Sequence, residues 1–206
     1  MATTRAEKRE ALKERLIDIA GRRIAEGGLV ALRARDVAAE AGSALGGIYT
    51  LFADLDDLVR HVNARTLRSL GQALEQAEGA GTDGDRLKAM ARAYARFARE
   101  NHNRWDALWT HRVADETPLP DWFAADLMAL LDHAVGPLAA LEPELRDEAL
   151  RVRARTYFAA VHGIVSMNLQ RRFLALPDDR LEPELDAFVD VVLAGAAARP
   201  LRPGAG

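Results

Sequence analysis

Apolar residues recur at intervals of three and four positions through most of this chain, and that spacing limits what the chain can fold into. Near the N-terminus Leu12, Leu16, Ala20 and Ile24 follow it, which places them on one face of a helix. Runs of β-branched residues are nearly absent, whereas the helix formers Ala, Leu and Arg are abundant. The sequence therefore predicts an all-α fold with no strands.

Glycine, proline and polar stretches divide this pattern into nine predicted helices. Gly27-Gly28 and Gly42 are placed to end the first two, and the carboxylate of Asp54 is placed to cap the fourth. Pro137 and Pro143 are expected to bound a break between two later helices. The predicted helices span 6–26, 34–41, 44–51, 54–77, 85–101, 102–113, 120–138, 144–173 and 180–197.

The helices are expected to form two domains. Residues 1–53 make a three-helix unit, and residues 54–198 make a larger helical domain, followed by a disordered tail at 199–206. The glycine-rich segment EGAGTDGD (78–85) is the predicted hinge. The core of the three-helix unit is predicted to contain Leu16, Ala20, Leu32, Val37, Ala38, Ala41, Ile48 and Leu51 or Phe52.

Composition excludes several classes of protein. The chain of 206 residues has no cysteine, so disulfides and thiolate metal sites are excluded, and a reducing compartment is expected. We find no apolar stretch near the roughly 20 residues that span a bilayer, and the charged N-terminus does not resemble a signal peptide. These features predict a soluble, cytoplasmic protein without a membrane partner.

Charge is distributed unevenly along the chain. The first 35 residues carry nine Lys/Arg and five acids, a net charge of +4, whereas the whole chain carries −3. A basic end on an acidic body suits a protein that touches a polyanion with one end only. A solvated helix with internal ion pairs would give the same count, so this feature alone leaves both interpretations open.

The most informative segment is 29–58, LVALRARDVAAEAGSALGGIYTLFADLDDL. Two short helices separated by a glycine-centred turn give the layout of a helix-turn-helix, whose second helix enters the DNA major groove. Small residues at the start of that helix allow it to approach the groove closely, and the hydroxyls of Tyr49 and Thr50 could reach phosphates or base edges.

This segment resembles the TetR family of transcriptional regulators. The match to the second helix and turn consists of Arg35, Val37, Ala38, Ala41 and Gly42, and the match to the recognition and linking helices consists of Ile48, Tyr49, Phe52 and Leu58. The resemblance implies a DNA-binding homodimer, released from its operator by a small-molecule effector. The predicted DNA-binding residues are Arg5, Lys8, Arg9, Arg33, Arg35, Ser43, Ala44, Leu45, Gly46, Gly47, Tyr49 and Thr50.

Three positions depart from the family pattern. Leu45, Gly47 and Leu55 stand where the family commonly has a basic residue, a Thr or Ser, and a lysine that contacts phosphate. Phosphate affinity would then depend on the other cations of this segment and of the N-terminal arm. An alternative function is therefore a regulator-derived helical interaction protein with weak or lost DNA binding.

The resemblance assigns ligand binding and dimerisation to the second domain. Residues 90–113 and Ala160-Val161-His162-Gly163 resemble the branch whose effector domain carries a Trp-His-Gly signature, with Val161 in place of Trp. A largely apolar effector pocket is predicted at Trp105, Trp109, Phe123, Tyr157, Phe158 and His162, although aromatic residues at helical spacing are more often core. The dimer interface, on the last two helices, is predicted at Tyr157, Leu181, Leu185, Phe188 and Val192.

An enzyme on a helical bundle is the competing class. The chain lacks Glu-x-x-His spacing, His-Glu-x-x-His, a Gly-x-Ser-x-Gly elbow, a phosphate loop and a glycine-rich dinucleotide turn. We therefore expect no catalysis, no cofactor and no metal site.

Overall fold

The computed structural model describes residues 4–77, 81–111, 119–170, 175–177 and 179–198, and within these ranges every regular element is helical. The all-α prediction is confirmed; the predicted tail at 199–206 lies outside the described residues. The α-helices are α1 Arg5–Gly27, α2 Ala34–Glu40, α3 Leu45–Tyr49, α4 Leu55–Ala77, α5 Asp83–Glu100, α6 His102–Thr110, α7 Asp121–Leu141, α8 Asp147–Leu169 and α9 Leu181–Ala198, with a short 3₁₀ turn at Leu29–Ala31.

Backbone contacts divide the chain into two compact units. The first contains residues 1–68 and 101–124, and the second contains residues 69–100 and 125–206. The helices α4 and α7 each begin in the first unit and end in the second. The predicted boundary after residue 53 marks the end of the helix-turn-helix, and as a functional boundary it stays a prediction.

The core of the first unit is built on the apolar face of α1. Leu16, Ala20 and Ile24 of that helix are fully buried, and Val37 of α2 and Ile48 of α3 are buried in the same cluster. The predicted core residues are all found there, with Phe52 buried and Leu51 only packed against the cluster. The two short helices thus obtain their stability from α1, since helices of this length are marginal alone.

Arginines fix the ends of the short helices. Arg15 Nη1 donates to the carbonyl oxygen of Ala41 at 3.3 Å, and Arg9 Nη2 donates to that of Thr50 at 3.2 Å. These residues follow α2 and α3, where carbonyls lack helical partners and a cation is favourable. The two arginines therefore attach the C-terminal ends of both short helices to α1.

The start of α4 is capped by its own acidic residues. The backbone N–H of Asp57 donates to Asp54 Oδ1 at 2.6 Å, and that of Ala53 donates to Asp57 Oδ2 at 3.1 Å. Arg60, itself buried, lies within 3.7 Å of both carboxylates. The predicted Asp54 cap is confirmed, and this acidic stretch serves the local fold.

The predicted break at Pro137 is wrong. Pro137 lies inside α7, which continues to Leu141. Proline removes one backbone hydrogen bond from a helix, but both Pro137 and Leu138 are buried, and this packing offsets the loss. The chain turns only at Glu142-Pro143, and α8 begins at Asp147.

The expectation that no apolar stretch approaches bilayer length is also wrong. The 21-residue helix α7 contains an 18-residue window of mean hydropathy 1.3. Only 17% of that window is buried within the chain, and among the described residues no other helix meets these criteria of length and composition. Length and composition of one helix are weak evidence for a membrane span, because core helices share them.

In the second unit, ion pairs connect α5 and α9. Lys88 Nζ lies 2.5 Å from Asp190, and Arg92 Nη1 lies 2.6 Å from Asp186. Arg96 lies 3.4 Å from Glu182, so the sequence order of the cations is opposite to that of the acids. The two helices therefore run antiparallel and have a line of paired charges along their contact.

The predicted hinge is partly helical. Residues 78–80 lie outside the described residues, whereas Thr82 and Asp85 form a reciprocal cap at the start of α5. The backbone N–H of Thr82 donates to Asp85 Oδ2 at 3.1 Å, and that of Asp85 donates to Thr82 Oγ1 at 3.2 Å. The start of α5 is therefore fixed two residues earlier than predicted.

An aromatic stack connects three segments of the first unit. The His61 ring of α4 lies parallel to the Trp122 ring at 4.7 Å, and meets the Phe52 ring edge-on at 5.5 Å. Burial lowers the pKa of His61 below its usual value, and the nearby cations Lys13, Arg60 and Arg65 lower it further, whereas Asp57 acts in the opposite direction. The folded protein thus favours neutral His61.

We expect stability to depend on pH through His61. Because its pKa is lower in the folded than in the unfolded chain, its contribution is full above the unfolded value, about 6.5, and is lost as the pH falls below it. His61→Phe keeps a ring in the stack but cannot ionise. In melts between about pH 5 and 8, the variant should lose less stability on acidification than wild type; an equal loss would contradict this assignment.

Candidate functional site

The turn between α2 and α3 requires a glycine. Gly42 has φ +69°, a backbone conformation that side chains disfavour. Around it, the N–H of Gly42 donates to Ala39 O at 3.1 Å, and the N–H of Ser43 donates to Ala38 O at 3.0 Å. The turn fixes the direction in which α3 leaves α2, which is the geometric requirement of a helix-turn-helix.

One face of α3 is buried in the core through a single side chain, and the opposite face is exposed. Ile48 is fully buried, whereas Leu45 and Tyr49 are exposed, Tyr49 by 52%. Gly46 is also exposed, and a Cβ built there would meet nothing within 4 Å. No neighbouring group within this chain requires a glycine at position 46. The absence of a side chain there does allow another molecule to approach the backbone of α3 closely.

The predicted DNA-binding residues all belong to the first unit. Arg5, Lys8, Arg33 and Arg35 are exposed, and the part of the chain that the structure describes gives none of them an ion-pair partner. Arg9 is exposed too, although its guanidinium contacts the end of α3. Their role in DNA binding stays a prediction.

Other groups near this surface have internal partners. Glu40 Oε1 lies 2.7 Å from Arg22, and Glu40 Oε2 lies 2.8 Å from Arg23, which lowers the Glu40 pKa. The Thr50 hydroxyl donates to Gly47 O at 2.8 Å. Leu55, at the position where the resemblance implies a lysine, packs against the core of the first unit. Arg22 and Arg23 are therefore partly neutralised, unlike the four cations that have no ion-pair partner among the described residues.

The second unit contains an apolar cavity of about 80 Å³. Helices α4, α5, α7, α8 and α9 contribute to its wall. The lining residues are Leu74, Leu87, Met90, Ala91, Tyr94, Leu130, Leu131, Ala134, Tyr157, Phe158, Val161, Phe188, Val189, Val192 and Leu193.

Polar groups beside the cavity are paired with one another. The Tyr94 hydroxyl lies 2.8 Å from His162 Nδ1, and burial lowers the His162 pKa. The Tyr157 hydroxyl donates to Glu142 Oε1 at 2.9 Å, and Glu142 Oε2 lies 2.5 Å from Arg153. Burial also raises the Tyr157 pKa. The raised pKa keeps the Tyr157 hydroxyl neutral, so it can donate its hydrogen bond to Glu142.

The predicted ligand residues are divided between the two units. Tyr157 and Phe158 line the cavity, and His162 lies behind it through Tyr94. By contrast, Trp105, Trp109 and Phe123 belong to the first unit and do not line this cavity. Trp105 is buried on α6, which packs against α1. Helical spacing showed that these aromatics share faces, but not which neighbour each face meets.

The predicted interface residues differ in burial, and their role in dimerisation stays a prediction. Leu181 and Leu185 are buried within their own chain, Leu185 completely. Phe188, Val192 and Tyr157 line the cavity. Core packing and a cavity wall both select large apolar residues, so the stripe on α9 combines buried positions with Phe188 and Val192, which are only half-buried.

Sequence reasoning also missed most cavity residues. Leu87, Met90, Ala91 and Tyr94 follow helical spacing on α5, and the same signal occurs on every helix with a buried face. On α9 one signal was available in the sequence. The apolar stripe there is wider than packing against a single neighbouring helix requires, which could have indicated that part of it lines a cavity. For metals, no group of three or more His, Asp or Glu among the described residues is arranged to hold an ion.

Comparison with known proteins agrees with this architecture. Residues 87–192 match the family described as tetracyclin repressor-like, C-terminal domain. No curated protein sequence matches the chain significantly.

Solved structures share the fold at low sequence identity. RolR in complex with resorcinol has a TM-score of 0.69 and 21% identity, covering 97% of this chain and 99% of its own. A protein from Rhodococcus sp. assigned to the TetR family has a TM-score of 0.66 and 22% identity over 89% and 99% of the two chains. The TetR-family regulator PfmR from Thermus thermophilus has a TM-score of 0.57 and 18% identity over 87% and 97%.

The family match covers more than half of the chain, and its remainder contains the helix-turn-helix described above. These neighbours have the same all-helical fold over at least 87% of this chain. The chain therefore belongs to the TetR family of transcriptional regulators.

Proposed function

We propose that this protein is a cytoplasmic transcriptional repressor that binds a palindromic operator as a homodimer and is released by a small, largely apolar effector. The observation that carries the proposal is α3, whose buried Ile48 fixes it to the core while its other side is exposed. A rigidly held, accessible helix after a tight turn is what major-groove recognition needs.

Charge supports DNA as the partner of this surface. Arg33 and Arg35 are exposed at the start of α2, and Arg5 and Lys8 are exposed at the start of α1. Phosphate contacts supply most non-specific affinity for DNA and make binding salt-dependent. Leu45 and Gly46 can approach bases closely but offer no charged side chain. Arg5, Lys8, Arg33 and Arg35 must therefore supply the affinity for phosphate.

Exposed apolar faces of α8 and α9 support a dimer. Val152 and Met167 of α8 and Val191 of α9 are large and exposed, Val191 by 71%. A Cβ at Gly163 or Gly195 would meet nothing within 4 Å, so a partner helix could approach closely there. A second copy of the same chain would cover both faces, and a two-fold dimer presents two recognition helices to symmetric half-sites.

The cavity supports an effector. Its wall is almost entirely carbon, which suits a small apolar molecule. One structural neighbour, RolR, was solved with resorcinol bound. Such a ligand can release DNA only if it binds more tightly to a conformation that does not fit the operator.

The first prediction concerns phosphate contacts. Combined replacement of Arg33 and Arg35 by Ala should reduce the slope of log affinity against log salt by about 2, because each phosphate contact contributes ~0.9. The probe is a duplex from the promoter region beside the gene for this protein. Arg22→Ala, which removes a cation already paired with Glu40, is the control and should leave the slope nearly unchanged. Equal slopes for all proteins would favour the alternative of an interaction protein without DNA binding.

The second prediction separates contact from folding at Tyr49. Since its side chain is half exposed, Tyr49→Ala should change the free energy of unfolding by no more than about 0.5 kcal/mol. Affinity for the same duplex should fall by about 1–3 kcal/mol, the usual loss for one direct contact. Urea unfolding and gel shift on one preparation measure both quantities, and unchanged DNA affinity would remove Tyr49 from the site.

The third prediction concerns the dimer. Val191→Glu should give a monomer in light scattering, because it would bury an unpaired charge between two copies of α9. Val30→Glu is the matched control, because Val30 is 89% exposed in the first unit, and it should remain dimeric. Two results would contradict this interface: a monomeric wild-type protein, or a Val191→Glu variant whose dimer dissociation constant equals that of wild type.

A further inference from the structure

We infer that the cavity of the second unit accepts an uncharged ligand with a single hydrocarbon ring and rejects carboxylates of the same size. This inference rests on the proposed function only in treating the cavity as an effector site. It follows from the wall, from the hydrogen-bond partners of the wall's polar atoms, and from the pairing of the charges on the surrounding helices.

The wall itself carries no charge. Thirteen of its fifteen residues are Ala, Leu, Met, Val or Phe, and the other two are Tyr94 and Tyr157. Burial of an ionised group without a partner is strongly unfavourable, whereas burial of a hydrocarbon surface is favourable. Selectivity for neutral ligands therefore follows from the chemistry of the lining residues.

The two hydroxyls are already used within the protein. Tyr94 is 2.8 Å from His162 Nδ1, and Tyr157 donates to Glu142 at 2.9 Å. A ligand that needed either hydroxyl as its main partner would have to replace an existing hydrogen bond, and such an exchange brings little net gain. The ligand's affinity must therefore come from its apolar surface.

Three cations on helices that contribute to the wall are also paired. On α5, the helix that contributes Leu87 and Tyr94 to the wall, Lys88 lies 2.5 Å from Asp190 and Arg92 lies 2.6 Å from Asp186. Behind Tyr157, Arg153 lies 2.5 Å from Glu142. An entering carboxylate would therefore find each of these cations neutralised by a protein carboxylate, which it would have to displace.

The size and shape of the cavity limit the ligand further. Its volume of about 80 Å³ is roughly half that of an apolar cavity of about 150 Å³ that binds benzene. The wall therefore limits the ligand to one ring and has to move outward to admit it. The rings of Tyr94 and Phe158 meet edge-on, at 5.5 Å and 82°. Ring edges and faces at such angles also favour contacts with an aromatic guest.

The test compares toluene with benzoate, in which a carboxylate replaces the methyl group. Titration calorimetry and thermal melting, without DNA, should show that toluene binds and raises the melting temperature. Benzoate, ionised at neutral pH, should bind roughly 100-fold more weakly or not at all. Equal binding of both, or no binding of toluene, would overturn the inference.

Two variants assign the binding to this cavity. Ala91→Leu, which fills the cavity from α5, should abolish the effect of toluene, whereas Ala89→Leu, on the same helix but outside the lining, should retain it. Met90→Lys supplies a cation and should reverse the preference towards benzoate. If toluene still stabilises a folded Ala91→Leu protein as it does wild type, it binds elsewhere and the inference is wrong.

The outcome is separable from the proposed function. If toluene binds to the cavity but leaves operator affinity unchanged, the effector role fails while the ligand class stands. If the protein does not bind the promoter duplex at all, repression fails, but the comparison of toluene with benzoate is unaffected because it needs no DNA.

Discussion

The apolar face of α1 is the contact on which the first unit depends. The helices α2 and α3 have seven and five residues, far fewer than an isolated helix needs in water. They persist because Val37 and Ile48 are buried against α1 and because Arg15 and Arg9 bind the carbonyls that follow their ends. The orientation of the exposed face of α3 is therefore a property of α1 packing.

In the second unit, α9 meets three different environments. Leu185 packs into the interior, Phe188 lines the cavity, and Val191 is exposed. Ion pairs from Arg92 and Lys88 fix the same helix to α5. A ligand that displaces Phe188 would thus act on the helix that carries the proposed dimer surface, because the cavity wall and that surface share α9.

The charges of the chain fall into two groups with different consequences. The cations beside the cavity are neutralised by carboxylates of the protein, as in the pair of Arg153 with buried Glu142. Arg33 and Arg35 are exposed without such partners among the described residues. Pairing is therefore the basis of the selectivity for neutral molecules that we infer for the cavity, and unpaired cations are what the proposed binding of a polyanion by the first unit requires.

The sequence alone determined the helical class, the buried face of α1, the Gly42 turn and the Asp54 cap, because each depends on residues close together in the chain. Tertiary structure decided the rest: Pro137 stays helical because its surroundings bury it. Trp105 and Phe188 have the same apolar, helical signature, yet one packs in the first unit and the other lines the cavity. Periodicity states that a face is buried but not what covers it, since the covering helix is distant in sequence.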